Sequence, residues 1–265
     1  MRPAAAGGER AVTAACAARD VVAGLLAVEG LVAGTVPFSA VDGPGNRFVV
    51  FLQGCGFDCL VCHNPATIPA HPRGAVRTSV GAVVDLVARD AQFLTGVTVT
   101  GGEPTVQPEF LVALLEALAV DPRTAHLSRF VDSNGDTDAD LWDRLAPVLD
   151  GVMLDLKGLD TERHIVLTGT DNYRVLGSLT RLVALHRLHE VRLLLVPGIN
   201  DADDALTRTA HWLLSLDPRI RVRVNGFRHH GTRAVARDLR AVTDTDRERY
   251  RAVLTAAGVE DLTIT

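Results

Sequence analysis

The sequence predicts an α/β protein, a partial (β/α)6 TIM-like barrel in one domain, and three observations lead there. Short apolar runs alternate with amphipathic ones along the chain. Several of these runs are rich in β-branched residues and almost continuously apolar, as strands buried on both faces are. Polar, often glycine-bearing segments close the runs. Alternation of strand and helix implies parallel strands joined by right-handed crossovers, and such folds gather function at the C-terminal ends of their strands.

In chain order, residues 1–33 are Ala-rich and end in "VEGLVAG". They read as a marginal helix or mobile extension ahead of a core spanning 34–265. Six strands are expected, at 47–53, 96–100, 128–133, 151–156, 190–196 and 220–225. Helical patterns lie between and after them. "SVGAVVDLVARDAQ" follows a Thr-Ser pair suited to capping. "PEFLVALLEALA" opens with Pro108 in its first turn and aligns Leu111, Leu114, Leu115 and Leu118 on one face. Four more follow: "DADLWDRLAPVL", "RVLGSLTRLVALHRL", "DDALTRTAHWLLSL" and "DRERYRAVLTAAG". No fixed-period repeat and no low-complexity linker interrupts the series.

Composition narrows the function. Hydrophobic residues make up 47% of the 265-residue chain and charged residues 22%, the balance of a soluble globular protein. No apolar run is long enough to span a bilayer, so no membrane partner is expected. The N-terminal stretch carries Glu9 and Asp20 and lacks a basic region followed by an apolar one, so no signal peptide is expected. Four cysteines do not make a secreted disulfide scaffold, and a reducing, cytoplasmic location is expected. A net charge of −5 argues against wholesale binding to nucleic acid.

Two features stand apart. Lys157 is the only lysine among 27 basic residues, and it closes the run "VMLDLK". It shares that position with Gly101-Gly102-Glu103-Pro104 after "VTVT", with Asp132 at the end of "RFVD", and with Pro197-Gly198 after "LLLV". Each alone reads as a turn; four polar strand ends in series, one holding the single lysine, read as a site. The other feature is "FLQGCGFDCLVCHNP" (51–65), which puts Cys55, Cys59 and Cys62 at C-x3-C-x2-C spacing. A structural zinc site takes four ligands, normally in two pairs; the second pair is missing here, leaving only Cys16 or His63 to close such a site. An all-cysteine [4Fe–4S] cluster also takes four thiolates, and three leave one iron without a protein ligand. That arrangement suits chemistry at the open iron.

With these motifs the chain resembles the radical S-adenosylmethionine (SAM) enzymes, and among them the glycyl-radical-enzyme activating family typified by pyruvate formate-lyase activase. The matching stretches run from about 36 to 231: "VDGPGNRFVVFLQGC", "CHNP", "TGGEP", "VDSNG", "VMLDLK" and "VPGIND". The resemblance implies an oxidoreductase with the partial barrel of the radical SAM type. In it Cys55, Cys59 and Cys62 hold a [4Fe–4S] cluster whose open iron chelates SAM. Reductive cleavage then yields a 5′-deoxyadenosyl radical that takes a hydrogen atom from a glycine of a partner glycyl radical enzyme.

Residue by residue, the resemblance implies that Gly101 and Gly102 admit the SAM amino group to the backbone and that Glu103 accepts from that ammonium. Leu156 and Lys157 continue the site, with Lys157 as point-charge partner of the SAM carboxylate. Asp132 and Asp155 approach SAM or a monovalent cation beside it, and Val61, Cys62 and His63 border the adenine. Three departures stand out. Val61 occupies a place usually aromatic in the family. Arg228, in "NGFRHHG", falls where the family has a late histidine, with His229 and His230 beside it. With only Cys16 left over, no second cluster can form, so an external flavodoxin or ferredoxin is the expected electron donor. Three other readings account for part of the pattern: a radical SAM enzyme acting on another peptide or small molecule, a non-catalytic metal-bearing module, and a family member that keeps the fold without the activity.

Overall fold

The computed structural model describes residues 20–71 and 76–265. A helical segment α1 (20–27) leads into nine strands: β1 (Glu29–Ser39), β2 (Arg47–Leu52), β3 (Val76–Ser79), β4 (Gly96–Gly101), β5 (Ser128–Ser133), β6 (Gly151–Leu156), β7 (Leu188–Leu195), β8 (Val222–Gly226) and β9 (Leu262–Ile264). They form one sheet in the order β3-β1-β2-β4-β5-β6-β7-β8-β9. Pairing is parallel from β2 through β9, and β1 runs antiparallel to both β2 and β3. The six expected strands are β2, β4, β5, β6, β7 and β8.

Helices α2 (Val80–Asp90), α3 (Pro108–Val120), α4 (Ala139–Leu145), α5 (Thr161–Thr168), α6 (Tyr173–Ala184), α7 (Asp203–Leu216) and α8 (Asp244–Ala256) pack on the outside of the sheet. Ser79 caps α2 by accepting from the Ala82 N–H, as the Thr-Ser pair suggested. The α3 leucines are fully buried, but so are Phe110, Val112 and Ala113, so this helix is covered on more than one face.

The core lies between sheet and helices, and period-two alternation decides which strand residues join it. Phe48, Val50, Leu52, Val97, Val99, Val131, Val152, Leu154, Leu156, Val191, Leu193, Val222 and Val224 belong to that apolar cluster. Their neighbours in sequence turn into the bore of the barrel: Arg47, Val49, Thr98, Thr100, Phe130, Asp132, Met153, Asp155, Glu190, Arg192 and Arg223. The sheet thus has an oily outer face and a bore that becomes polar towards β7 and β8.

The structure corrects two expectations. Residues 29–33 are not part of an extension: Glu29–Val32 pair with Ser79–Val76 and extend the sheet, so a boundary at 33/34 falls inside β1. Strands β1, β3 and β9 and helix α5 were not anticipated. β3 and β9 have only four and three residues, too short for a periodic signal, and the mean hydropathy of α5 is close to neutral. Cys16 lies outside the described residues.

Candidate active site

The cysteine loop leaves the end of β2 and is fastened on every side by backbone. Gly54 N–H donates to Thr67 O (2.8 Å) and Cys55 N–H to Ile68 O (3.1 Å). Further on, Asp58 N–H donates to Thr168 O (2.9 Å) and Leu60 N–H to Leu167 O (2.8 Å), so the C-terminal turn of α5 carries the middle of the loop. Phe57 is buried edge-on against His164 of α5, ring centroids 5.4 Å apart. Arg233, from the long connection after β8, donates to the Asp58 carboxylate (2.6 Å) and the Cys59 carbonyl (3.2 Å).

Burial pushes the Cys55 thiol up to about 12 and raises Cys59 as well, despite Lys157 nearby. Burial thus favours the neutral thiol at Cys55 and Cys59, and metal binding there would release their protons. Two donors already face Cys55 Sγ: the Phe57 N–H at 3.4 Å and the Asn134 Nδ2 at 3.6 Å. Among the described residues no three His, Cys, Asp or Glu side chains form a group that could hold a single metal ion. An iron–sulfur cluster asks for something different, one thiolate per iron, and three thiols spread along one fastened loop suit it. Cys55, Gly54 and Gly56 line a groove of about 390 Å³ together with Gln53, Gln107 and Arg77.

The Gly-Gly-Glu segment is laced to this loop. Gly102 N–H donates to Leu52 O (3.0 Å) and Glu103 N–H to Gly54 O (2.8 Å). Gly101 sits at φ +132°, and a Cβ there would lie 2.1 Å from Leu52 O; at Gly102 it would lie 2.2 Å from Gly54 O. Glycine is required at both positions for this contact between strand ends. Glu103 differs from expectation. Its side chain is only 1% exposed. Its carboxylate already accepts from Thr105 N–H (3.0 Å), Thr105 Oγ1 (2.7 Å), Ser133 Oγ (2.8 Å) and Asn134 N–H (2.7 Å). Burial raises its pKa, and these four donors offset only part of that rise. It braces the end of β4 to the end of β5.

Lys157 is 7% exposed, and its Nζ lies 2.6 Å from Asp155 Oδ2. Burial disfavours the ammonium, but Asp155 and the other anions around it outweigh that and hold its pKa above the ordinary lysine value. The Val-Pro-Gly-Ile-Asn-Asp loop explains its place. Asn200 Nδ2 donates to Lys157 O (2.8 Å) and Leu194 O (2.7 Å), and its Oδ1 accepts from Val196 N–H (2.8 Å), tying the ends of β6 and β7 together. Asp132, on the neighbouring strand β5, lies near enough to Asp155 and Lys157 of the β6 end to feel both charges. Burial raises its pKa, and Arg192 Nη1 at 3.0 Å from its Oδ2 opposes that shift.

Not every expected residue points into the site. Leu156, 2% exposed, alternates with Asp155 and faces outward. It lines a cavity of about 220 Å³ with Leu193, Leu195 and Leu206, between the outer face of the sheet and helices α5 and α7. Val61, 1% exposed, belongs to the core cluster, so it can offer a ligand only its backbone. His63 and Arg228 do come together: His63 Nε2 lies 3.3 Å from the Arg228 carbonyl, which places the exposed Arg228-His229-His230 segment against the end of the cysteine loop.

Four contributors were not singled out from sequence. Asn134 reaches Cys55. His164 supports Phe57; its Nδ1 lies 2.9 Å from the Thr170 carbonyl, so it carries the proton there, and its buried Nε2 has no partner. Glu190 and Arg192 stand in the bore, and the visible signal was two charges at alternate positions of an otherwise apolar strand.

With this geometry in place, comparison with known proteins is decisive. The family model for the Radical SAM superfamily matches residues 49–210. The chain belongs to that superfamily. It is 35% identical over 195 residues to the pyruvate formate-lyase-activating enzyme of Streptococcus mutans, covering 71% of this chain and 74% of that protein. Against the enzyme of the same name from Staphylococcus aureus identity is 32% over 222 residues, covering 80% and 88%. Within the superfamily the chain therefore falls among the activating enzymes, and it is a radical SAM enzyme. Solved structures agree on the fold. A domain of a pyruvate-formate lyase-activating enzyme from Bacteroides vulgatus superposes with a TM-score of 0.53 at 23% identity, over 64% of this chain and 98% of that one. A radical SAM methyltransferase from Sphaerobacter thermophilus gives 0.65 at 19%, over 83% and 66%. Members of the superfamily use a [4Fe–4S] cluster and SAM, and Cys55, Cys59 and Cys62 match the cluster motif.

Proposed function

We propose that this radical SAM enzyme activates a partner glycyl radical enzyme. The observation that carries the reading is the loop of three buried or half-buried thiols, laced by backbone to the Gly101-Gly102 turn at one strand end, with the buried Lys157 at another strand end of the same sheet. When bound, the cluster and SAM supply reductive cleavage and the radical that abstracts hydrogen from a glycine. The chain supplies position. Cys55, Cys59 and Cys62 give up their protons and ligate three irons. The backbone at Gly101 and Gly102 admits the amino group, and Lys157 meets the carboxylate as a compact point charge. Asp132 and Asp155 keep the surrounding charge balanced and can hold a monovalent cation. The backbone of Val61 and the Cys62-His63 segment, with Arg228 against it, form the side of the site where the adenine would lie.

Four cysteines in the whole sequence are too few for a second four-thiolate cluster, so the electron comes from outside, from a flavodoxin or ferredoxin. Such reduction fits a cytoplasmic setting. The deciding experiment is anaerobic reconstitution with iron and sulfide, reduction by dithionite, and EPR with and without SAM. A reduced [4Fe–4S] signal that changes shape on SAM addition is the expected result. No cluster, or one indifferent to SAM, would hand the protein to a non-catalytic metal-bearing role or to a member that has lost its activity.

A further inference from the structure

The bore below Asp132 holds a buried ionic chain that the reaction as described does not use. Arg192 and Glu190 are adjacent inward positions on β7 and both are buried. Arg192 Nε donates to Glu190 Oε1 at 2.9 Å, its Nη1 to Asp132 Oδ2 at 3.0 Å, and its Nη2 to the Met153 thioether at 2.8 Å. Arg223 of β8, opposite Arg192 in the register, donates its Nε to the other oxygen of Glu190 at 3.2 Å. Every edge of the Arg192 guanidinium is thereby committed, and its orientation is set from below by a carboxylate with two cationic partners.

From this geometry we infer that Glu190 is a positioning residue for SAM binding. It clamps the Nε edge of Arg192 so that Nη1 is delivered to Asp132, and Asp132 in turn faces the Asp155–Lys157 pair at the strand ends. A planar guanidinium fixed at one edge presents the other in a single direction; freed at Nε, the long side chain regains its rotamers. Arg223 supports the arrangement by balancing the second oxygen of Glu190. Charge counting agrees: around the site Asp132, Asp155 and Glu190 balance Lys157, Arg192 and Arg223, so removing any one of the six alone leaves an unbalanced charge. The inference rests on SAM occupying the strand ends.

The test uses the full chain with reconstituted cluster. SAM affinity is measured by calorimetry for wild type, E190Q, R192Q, E190Q/R192Q and E190Q/R223Q. The last variant removes one charge of each sign, so it keeps the bore neutral should E190Q alone fold poorly. Exchanging the carboxylate for a neutral amide leaves Arg192 Nε a bond about half as strong, and predicts a rise in Kd of about tenfold for E190Q and E190Q/R223Q. The E190Q/R192Q double variant should bind no more weakly than R192Q, because Glu190 acts through Arg192. A readout independent of SAM accompanies this: NMR of the cluster-free protein should show an arginine Nε–H protected from exchange beside that of Arg47, assigned to Arg192 by its loss in R192Q and exchanging faster in E190Q. Unchanged SAM affinity in E190Q and E190Q/R223Q, or a full additional loss on top of R192Q, would overturn the role. A merely structural Glu190 would lower the unfolding midpoint and leave the Kd alone. Absence of SAM binding in wild type overturns the strand-end site itself, whereas normal wild-type binding with indifferent variants overturns Glu190 only.

Discussion

Two guanidiniums are buried in this barrel, and their company could hardly differ more. Arg47, at the N-terminal end of β2, is fully buried and has only neutral acceptors: Thr98 Oγ1 (2.6 Å), the Pro44, Val97 and Ser128 carbonyls, and Ser128 Oγ. It also stacks over the Phe130 ring at 4.5 Å. Burial lowers its pKa to about 10, with Asp150 pulling the other way. Arg192, in the middle of the bore, sits among carboxylates, and these outweigh burial and hold its pKa above the usual arginine value. At the floor the arginine is a five-pronged cross-link that ties the start of β2 to the starts of β4 and β5. Higher up it is a counter-charge, holding the site in balance. The same side chain does structural work at one end of a βα barrel and electrostatic work towards the other, in keeping with the division between its two faces.

That contrast can be broken or sharpened by substitution. The largest effect is expected away from both arginines: Cys59→Ala should abolish cluster assembly and all SAM cleavage, read by iron content and product analysis, and retained cleavage would refute the cluster assignment. Next comes Arg47→Met. Leaving several buried acceptors without a donor should cost about 3 kcal/mol in denaturant unfolding, while SAM affinity of the folded protein stays near wild type. If R47M instead binds SAM poorly at normal stability, the division between floor and site fails. Lys157→Ala should spare the cluster spectrum and weaken SAM binding about tenfold, the loss of one charged hydrogen bond. Unchanged affinity would return Lys157 to a structural role as partner of Asp155. Glu103→Gln keeps the shape but replaces one acceptor oxygen by an amide nitrogen among four donors; about 1–3 kcal/mol of stability should go, with SAM affinity moving less than in K157A. Smallest is Arg233→Ala. Its pair with the exposed Asp58 should be worth under about 1 kcal/mol, so only thermal stability measured at low salt should register it.

Much of this was legible in the residue order. The six core strands stand where β-branched, continuously apolar runs were read, because a strand covered on both faces has few alternatives to apolar residues. The cluster cysteines and Gly101-Gly102 were equally plain: three thiols on one loop and two glycines at a strand end are local facts, and local chemistry is written locally. Lys157 stood out only because the chain has no other lysine.

What only the tertiary structure decided is orientation and company. Glu103 has the composition of a ligand residue, yet its carboxylate is consumed by Thr105, Ser133 and Asn134, the last two supplied from thirty residues on. Leu156 is next to Lys157 in sequence, but the pleat turns it to the opposite face. Val61, flanked by the cysteine ligands, is drawn into the core. Arg47, Glu190 and Arg192 carry no signal of their own in the sequence, because the bore that buries them exists only once the parallel strands have curved round and brought β2, β4, β5, β7 and β8 together. A sequence specifies which groups are available and how they alternate; which of them meet depends on contacts between strands tens of residues apart, and these come into being only with the assembled sheet.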